Sequence, residues 1–257
     1  MKNIENRTAV ILCGGKGSRL GMLGKKVPKC LVSIHNYPII WYIIKILKQN
    51  YFNHFILPVG YKGQMVKKYF TKSKEFKDLN IEIIDTGLNT NIAKRIFLIK
   101  KRIISKNFLL LNGDAIFNLN INKVYKNHKK NNTDMTLIGC EAQLAFGTVG
   151  VEKDRILSFD REITYNAVKV KNRKNFTAFV YSGMNIMNKD ILKINFKNFD
   201  NFEKKLYPKI IKKFKCKFAD PKGFWHSIDN MKDIDILNKK NTSKKYEGIK
   251  KTLKKLK

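Results

Sequence analysis

The chain has 257 residues, of which 43% are hydrophobic and 11% aromatic, so a wholly disordered chain is excluded and one large core is possible. Lysine and arginine number 53 against 20 aspartates and glutamates, a net charge of +33 that attracts polyanions. The lysines run along the whole chain with no zinc-finger spacing, aromatic RNP-type strand or basic region leading into heptads, so no specific nucleic acid is expected as partner.

In chain order, Ala9–Cys13 (AVILC) is a short apolar run ending in glycines and reads as a buried first strand. Pro38–Gln49 has helical length, a proline at its start and a polar end. His54–Val59 is a second strand, and Gly63–Thr71 a second helix with lysines on one face. Ile81–Asp85 is a third strand, Asn91–Ser105 a lysine-studded helix, and Asn107–Asn112 a fourth strand with an apolar centre. Apolar strands separated by helices imply a parallel sheet covered on both faces. After about residue 133 the rhythm changes. Met135–Cys140 continues the sheet, Gly147–Phe159 reads as a hairpin with a Lys-Asp turn, and Ala178–Met187 as another strand. Phe199–Lys213 is a helix and Lys217–Ala219 a short strand; from Asn238 the polar, lysine-rich end reads as a basic helix or frayed tail. The class is α/β with a mixed sheet.

No apolar run approaches the roughly 20 residues of a bilayer span, so no membrane span is expected. The longest, Pro38–Leu47, is cut by Lys45, and the first residues, MKNIENRTAV, lack a signal-peptide core. Cys13, Cys30, Cys140 and Cys216 lie far apart without a C-x-x-C pair. That argues against a zinc site or a disulfide framework and suits a reducing, cytoplasmic setting. His35, His54, His128 and His226 are isolated, and Glu152 and Asp154 read as solvated hairpin residues.

Three segments could carry chemistry. Leu12–Leu20 (LCGGKGSRL) follows the first strand, and its glycines let backbone N–H groups approach phosphate oxygens. It is neither a Walker loop nor a G-x-G-x-x-G fingerprint, and a plain glycine turn remains the alternative. Asp114, in Asn112-Gly113-Asp114, stands at the carboxyl end of the fourth strand, where open α/β sheets bind ligands. It reads either as a Mg²⁺ ligand or as a cap of the next element. Asp229, in Gly223–Asp229 (GFWHSID), reads as a helix N-cap or a second metal carboxylate.

Together, GGKGSRL (Gly14–Leu20), Val27-Pro28-Lys29, FNHFILPVGYKGQMVKKYF (Phe52–Phe70), DTGLNTNIAKRI (Asp85–Ile96), LNGD (Leu111–Asp114) and GFWHSIDNMKD (Gly223–Asp233) resemble the sugar-1-phosphate nucleotidyltransferase family. Within it they are most similar to the glucose-1-phosphate cytidylyltransferase branch. The resemblance implies a Rossmann-like, glycosyltransferase-A-like fold with a mixed, mostly parallel sheet. It implies a nucleotidyltransferase domain over residues 1–237, with a nucleotide half to about 132, a sugar-phosphate half from about 133, and a basic C-terminal helix or tail over 238–257. Leu12, Gly14, Gly15, Gly17, Ser18 and Arg19 would hold nucleotide and phosphates, and Lys29 would bridge the α-phosphate and the sugar phosphate. Thr90 and Arg95 would sit near the nucleotide, Gly113 would approach it closely, and Asp114 and Asp229 would hold Mg²⁺. Arg19 and Lys29 are the expected catalytic pair.

The chain departs from the branch at Cys30 (usually Pro), Ala93-Lys94 (usually two glycines), Ser158–Ile163 and Tyr181-Ser182-Gly183. The nucleotide half matches better than the sugar half. The implied reaction joins an NTP, CTP by preference, to a sugar 1-phosphate with release of pyrophosphate. A homo-oligomer is compatible with the resemblance, and a non-catalytic nucleotide-binding regulator is the alternative class.

Overall fold

The computed structural model describes residues 5–143, 148–160, 163–169, 177–194, 201–241 and 243–257. The expected hairpin start at Gly147, residues 161–162 of the Ser158–Ile163 segment and the expected helix start at Phe199 lie outside them. The central sheet and the ladder beside it are built from β1 (Thr8–Leu12), β2 (His54–Val59), β3 (Asn80–Asp85), β4 (Asn107–Asn112), β5 (Ala115–Leu119), β6 (Met135–Gly139), β7 (Tyr181–Asn188), β8 (Cys216–Ala219) and β9 (Gly223–Ser227). The helices are α1 (Gly21–Lys26), α2 (Ile39–Gln49), α3 (Gly63–Lys72), α4 (Ile92–Ile99), α5 (Ile121–Lys130), α6 (Tyr207–Lys213), α7 (Met231–Asn238) and α8 (Lys244–Leu256).

Seven strands form one sheet in the order β8-β6-β7-β4-β1-β2-β3. β1 is parallel to β2 and β4, β2 to β3, and β8 to β6, while β7 runs antiparallel to both neighbours. The sheet is therefore mixed and mostly parallel. Alternate side chains of the central strands feed two cores. Ala9, Ile11, Phe55, Leu57, Leu109 and Leu111 join α2 on one face. Val10, Ile56, Phe108 and Leu110 join α4 and α6 on the other. Burial on both faces explains why these strands read as continuous apolar runs.

Three elements differ from the sequence reading. The helix expected over Asn91–Ser105 ends at Ile99, followed by a tight turn over Lys100–Arg102. Ser105 leaves the helix because its hydroxyl accepts from Thr8 N at 3.0 Å and donates to Asn6 O at 2.7 Å. The helix expected over Phe199–Lys213 contains a wide π turn, Phe202–Leu206, before α6 starts. Pro208, with no N–H to give, sits in the first turn of α6, where none is needed. The third difference is the antiparallel ladder β5–β9, which pairs Ala115 with Ser227 and Leu119 with Gly223.

The basic C-terminal stretch is a helix, not a frayed tail. Ser243 caps α8, and Tyr246, Ile249, Thr252 and Leu256 form its buried stripe. The helix lies over α2 and the β5–β9 ladder. Gly248 lies so close to Phe224 of β9 that a Cβ there would come within 2.2 Å of the ring. The lysines of α8 cover the solvent side.

His128 of α5 is buried, between Thr136 Oγ1 at 2.8 Å and Asn107 Oδ1 at 3.2 Å. Burial pulls its pKa from 6.5 down to about 4, against a smaller opposing effect of Asp134. The unfolded chain therefore binds a proton below pH 6.5 that the folded chain resists until about pH 4. Stability from this site is complete above pH 6.5 and falls toward pH 4, with a slope of up to about 1.4 kcal/mol per pH unit. Urea titrations across that window should show the slope in the wild type and a shallower one in His128→Gln. Equal slopes would show that His128 does not carry it.

Candidate active site

The glycine-rich loop leaves β1 at Leu12 and crosses the carboxyl end of the sheet before α1 begins. Gly113, just past β4, donates its N–H to Leu12 O at 3.1 Å. A Cβ on Gly113 would lie 2.8 Å from that oxygen, so only glycine lets the two strand ends meet this closely. On the other side of the loop, a Cβ on Gly14 would fall 2.3–2.7 Å from the Arg95 guanidinium.

Arg95 belongs to α4 and is 5% exposed. Its Nη2 donates to Gly14 O at 3.1 Å, and its Nη1 donates to Val59 O at 2.8 Å and to Thr86 Oγ1. Burial lowers its pKa and the nearby Asp85 carboxylate opposes that. Arg95 borders the cavity, yet its hydrogen bonds go to the protein, where they tie the glycine loop to β2 and to the segment after β3. Thr90 borders the same cavity, and its hydroxyl donates to Thr86 O at 2.5 Å.

Lys29 is the meeting point. Its Nζ lies 2.8 Å from Asp114 Oδ2 and 3.0 Å from Asp229 Oδ1. Arg19 Nη1 reaches Asp229 Oδ1 at 3.3 Å from a side chain that is 79% exposed. Ser227 Oγ donates to Asp229 Oδ2 at 2.8 Å. Burial raises the Asp229 carboxyl, but hydrogen bonds from Lys29 and Ser227 and the charges of Lys29 and Arg19 outweigh it, so its pKa stays below the ordinary aspartate value. The β5–β9 ladder sets this meeting, since Ile228 N donates to Asp114 O at 2.9 Å. The N-cap of α7 is Asn230, in a capping box with Asp233, and the Asp229 side chain is left to Lys29. His226 sits under the site with Nε2 3.3 Å from Asp233 Oδ1.

A cavity of about 710 Å³ opens between these groups. Of the residues expected at the site, Leu12, Gly14, Gly15, Gly17, Lys29, Thr90, Arg95, Gly113 and Asp114 line it. Ser18, Arg19 and Asp229 do not, although Arg19 and Asp229 join it through Lys29. Lys16, Asn89, Asn91, Asn112 and the Asn201–Glu203 turn line it too, and the sequence reading had not singled them out. The first four lie within recognised motifs. Asn201–Glu203 carries no local signal. Among the described residues no group of three or more His, Cys, Asp and Glu gathers as a metal cluster. Two carboxylate oxygens at one point are instead the partial, hard-oxygen set that Mg²⁺ accepts when phosphates and water complete its shell.

No helix among the described residues is long and apolar enough to cross a membrane. The chain is similar to a probable glucose-1-phosphate cytidylyltransferase of Bacillus subtilis, 28% identical over 90% of this chain and 94% of that one. It is likewise 28% identical to a D-glycero-alpha-D-manno-heptose 1-phosphate guanylyltransferase of Campylobacter jejuni, over 86% of this chain and 99% of the relative. The crystal structure of HddC from Yersinia pseudotuberculosis complexed with GMP-PN superposes with a TM-score of 0.68 at 21% identity, covering 95% of this chain and 99% of that one, a likeness of fold. The family model described as Nucleotidyl transferase matches residues 8–237, from β1 to α7, and the chain belongs to that family of enzymes.

Proposed function

We propose that the enzyme transfers a nucleotidyl group from an NTP, with CTP preferred, to a sugar 1-phosphate, forming an NDP-sugar and pyrophosphate. The observation that carries this reading is Lys29 held between Asp114 and Asp229 beside a glycine loop. An oxygen of the sugar phosphate attacks the α-phosphorus, the bond to the β-phosphate breaks, and pyrophosphate leaves. The nucleophile is already ionised at neutral pH, so no general base is required. Catalysis then rests on alignment and charge.

Lys29 aligns the α-phosphate and the incoming phosphate, the loop N–H groups hold the nucleotide phosphates, and Arg19 adds charge from outside. Asp114 and Asp229 would hold Mg²⁺, which supplies neutralisation of the triphosphate charge when bound. Four free thiols accord with work in a reducing cytoplasm.

The preference for CTP rests on the segment from Asp85 to Arg95. Asn89, Thr90 and Asn91 line the cavity and offer side-chain oxygens and backbone carbonyls. Cytosine presents an exocyclic amine where uracil and thymine present an acceptor. A polar site that accepts from the amine penalises the wrong base by leaving buried groups unpaired. The test is pyrophosphate release over a panel of NTPs and sugar 1-phosphates. CTP is expected to give the highest kcat/KM, and a higher value for UTP, dTTP or GTP would move the assignment to another branch.

Asp114→Ala and Asp229→Ala are each expected to cut kcat by on the order of 100-fold or more while the thermal midpoint holds. Activity should vanish with a chelator and return with Mg²⁺. Normal turnover in either variant would remove that residue from the metal site. Arg95→Ala leaves the Gly14 oxygen without its buried donor, while Val59 O keeps those of Thr86 N and Oγ1, at a cost of about 2 kcal/mol in stability, and should raise KM for the nucleotide. A rise in KM with unaltered stability would instead indicate direct contact with the nucleotide.

A further inference from the structure

The wide turn Phe202–Leu206 carries Glu203 to the wall of the cavity that Lys16 and Lys29 also line. Glu203 also lines a small recess off that cavity, together with Asn112, Tyr181, Gly183, Asn185 and Tyr207. The recess measures about 10 Å³, room for about one water, so a ligand must stay in the main cavity and meet Glu203 there.

Behind Glu203 lies a polar network in an otherwise apolar layer. Tyr181 OH and Tyr207 OH are 2.9 Å apart, and Asn185 Nδ2 donates to them at 3.1 and 2.7 Å. Asn185 is 1% exposed, and among the described residues its Oδ1 has no partner. One phenol donates to the other, so the accepting phenol's own proton is uncommitted among the described residues. Burial, with the Glu203 charge adding to it, raises the pKa of both phenols and keeps them neutral donors, Tyr181 at about 12.

Glu203 has neither a hydrogen bond nor an ion pair among the described residues, and burial alone raises its pKa. A carboxylate without a partner among the described residues would repel a phosphate and so suits the glycine-loop end of the cavity poorly. It suits a neutral part of the substrate that donates hydrogen bonds. Except for Asn112, the polar groups around it come from the second half of the chain, whereas Asn89–Asn91 in the first half supply the wall proposed for the base. A carboxylate beside amides and phenols is a receptor for vicinal hydroxyls, since its two oxygens can accept from two neighbouring O–H groups.

We propose that Glu203, seated against the Tyr181–Asn185–Tyr207 network, accepts hydrogen bonds from ring hydroxyls of the sugar 1-phosphate and sets which sugar the enzyme uses. The inference rests on the sugar-phosphate reading above and names the residue that reads the acceptor.

The experiment measures pyrophosphate release by the wild type, Glu203→Gln and Glu203→Ala with CTP and Mg²⁺. The acceptors are the best sugar 1-phosphate of the panel and its four monodeoxy counterparts. In the wild type at least one deoxy acceptor should lose about 10-fold or more in kcat/KM. In Glu203→Ala the parent acceptor should lose a similar factor, and the deoxy penalty at that position should shrink to about 2-fold. KM for CTP should stay within about twofold, a split that a general structural defect would not give. Glu203→Gln, which keeps one accepting oxygen, should fall between the two.

A deoxy profile that is flat in the wild type, or identical in wild type and variants, overturns the role of Glu203 and leaves the reaction standing. Failure of every sugar 1-phosphate with every NTP overturns the reaction itself and the inference with it.

Discussion

Two carboxylates brought to one point repel each other, and one of them would ordinarily take up a proton. The Lys29 ammonium, 2.8 and 3.0 Å from Asp114 and Asp229, removes that constraint, and Arg19 adds to it at Asp229. The arrangement needs residues 29, 114 and 229 in register, and no single element supplies all three. Lys29 comes from the short turn after α1, Asp114 from the end of β4, and Asp229 from the end of β9. The β5–β9 ladder joins the last two, and α8 packs behind it through the close contact of Gly248 with Phe224. The C-terminal helix is therefore part of the support of the site.

The glycine loop has its own support, of a different kind. Arg95 spends its guanidinium on three protein oxygens, of Gly14, Val59 and Thr86. It couples the loop to the end of β2 and to the segment after β3, which borders the cavity. A loop of glycines has little intrinsic preference for one conformation. A buried fork of donors with fixed geometry gives it one. The two supports meet at Leu12, whose carbonyl takes the Gly113 N–H next to Asp114. The glycine loop and Asp114 are thus held by adjoining strands, β1 and β4, in the most buried part of the sheet.

Much of this was legible in the chain itself. β1, β2 and β4 are buried on both faces, so their apolar runs need no partner to be recognised. The glycine loop and LNGD sit at strand ends, where local sequence and site coincide. The β5–β9 ladder was not legible, because AIFNL and GFWHS are short segments whose pairing depends on residues more than 100 positions apart. The role of Arg95 was hidden for the same reason: a charge in a motif beside a nucleotide loop suggests contact with phosphate, and only its burial shows that the carbonyls claim it. The α8 stripe was masked by lysines on the other face of the helix. Asn201–Glu203 enters the cavity through a π turn, for which sequence offers no periodic signal.

The charges of the site can be weighed against those of the whole molecule. Lys16, Arg19 and Lys29 face Asp114, Asp229 and Glu203, and Arg95 is matched by Asp85, so the cavity region is close to balanced while the chain carries +33. The excess therefore lies elsewhere on the surface, and screening at a Debye length of about 8 Å in physiological salt limits how much of it acts within the cavity. It draws anions toward the protein without holding them in the site. A triphosphate and a sugar phosphate would together bring several negative charges into a nearly neutral pocket. The pair Asp114 and Asp229 would make that worse if Lys29 left them to reach the phosphates. On the reading proposed above, Asp114 and Asp229 would hold a divalent cation that supplies charge neutralisation, and Lys29 would then be free to meet the phosphate oxygens.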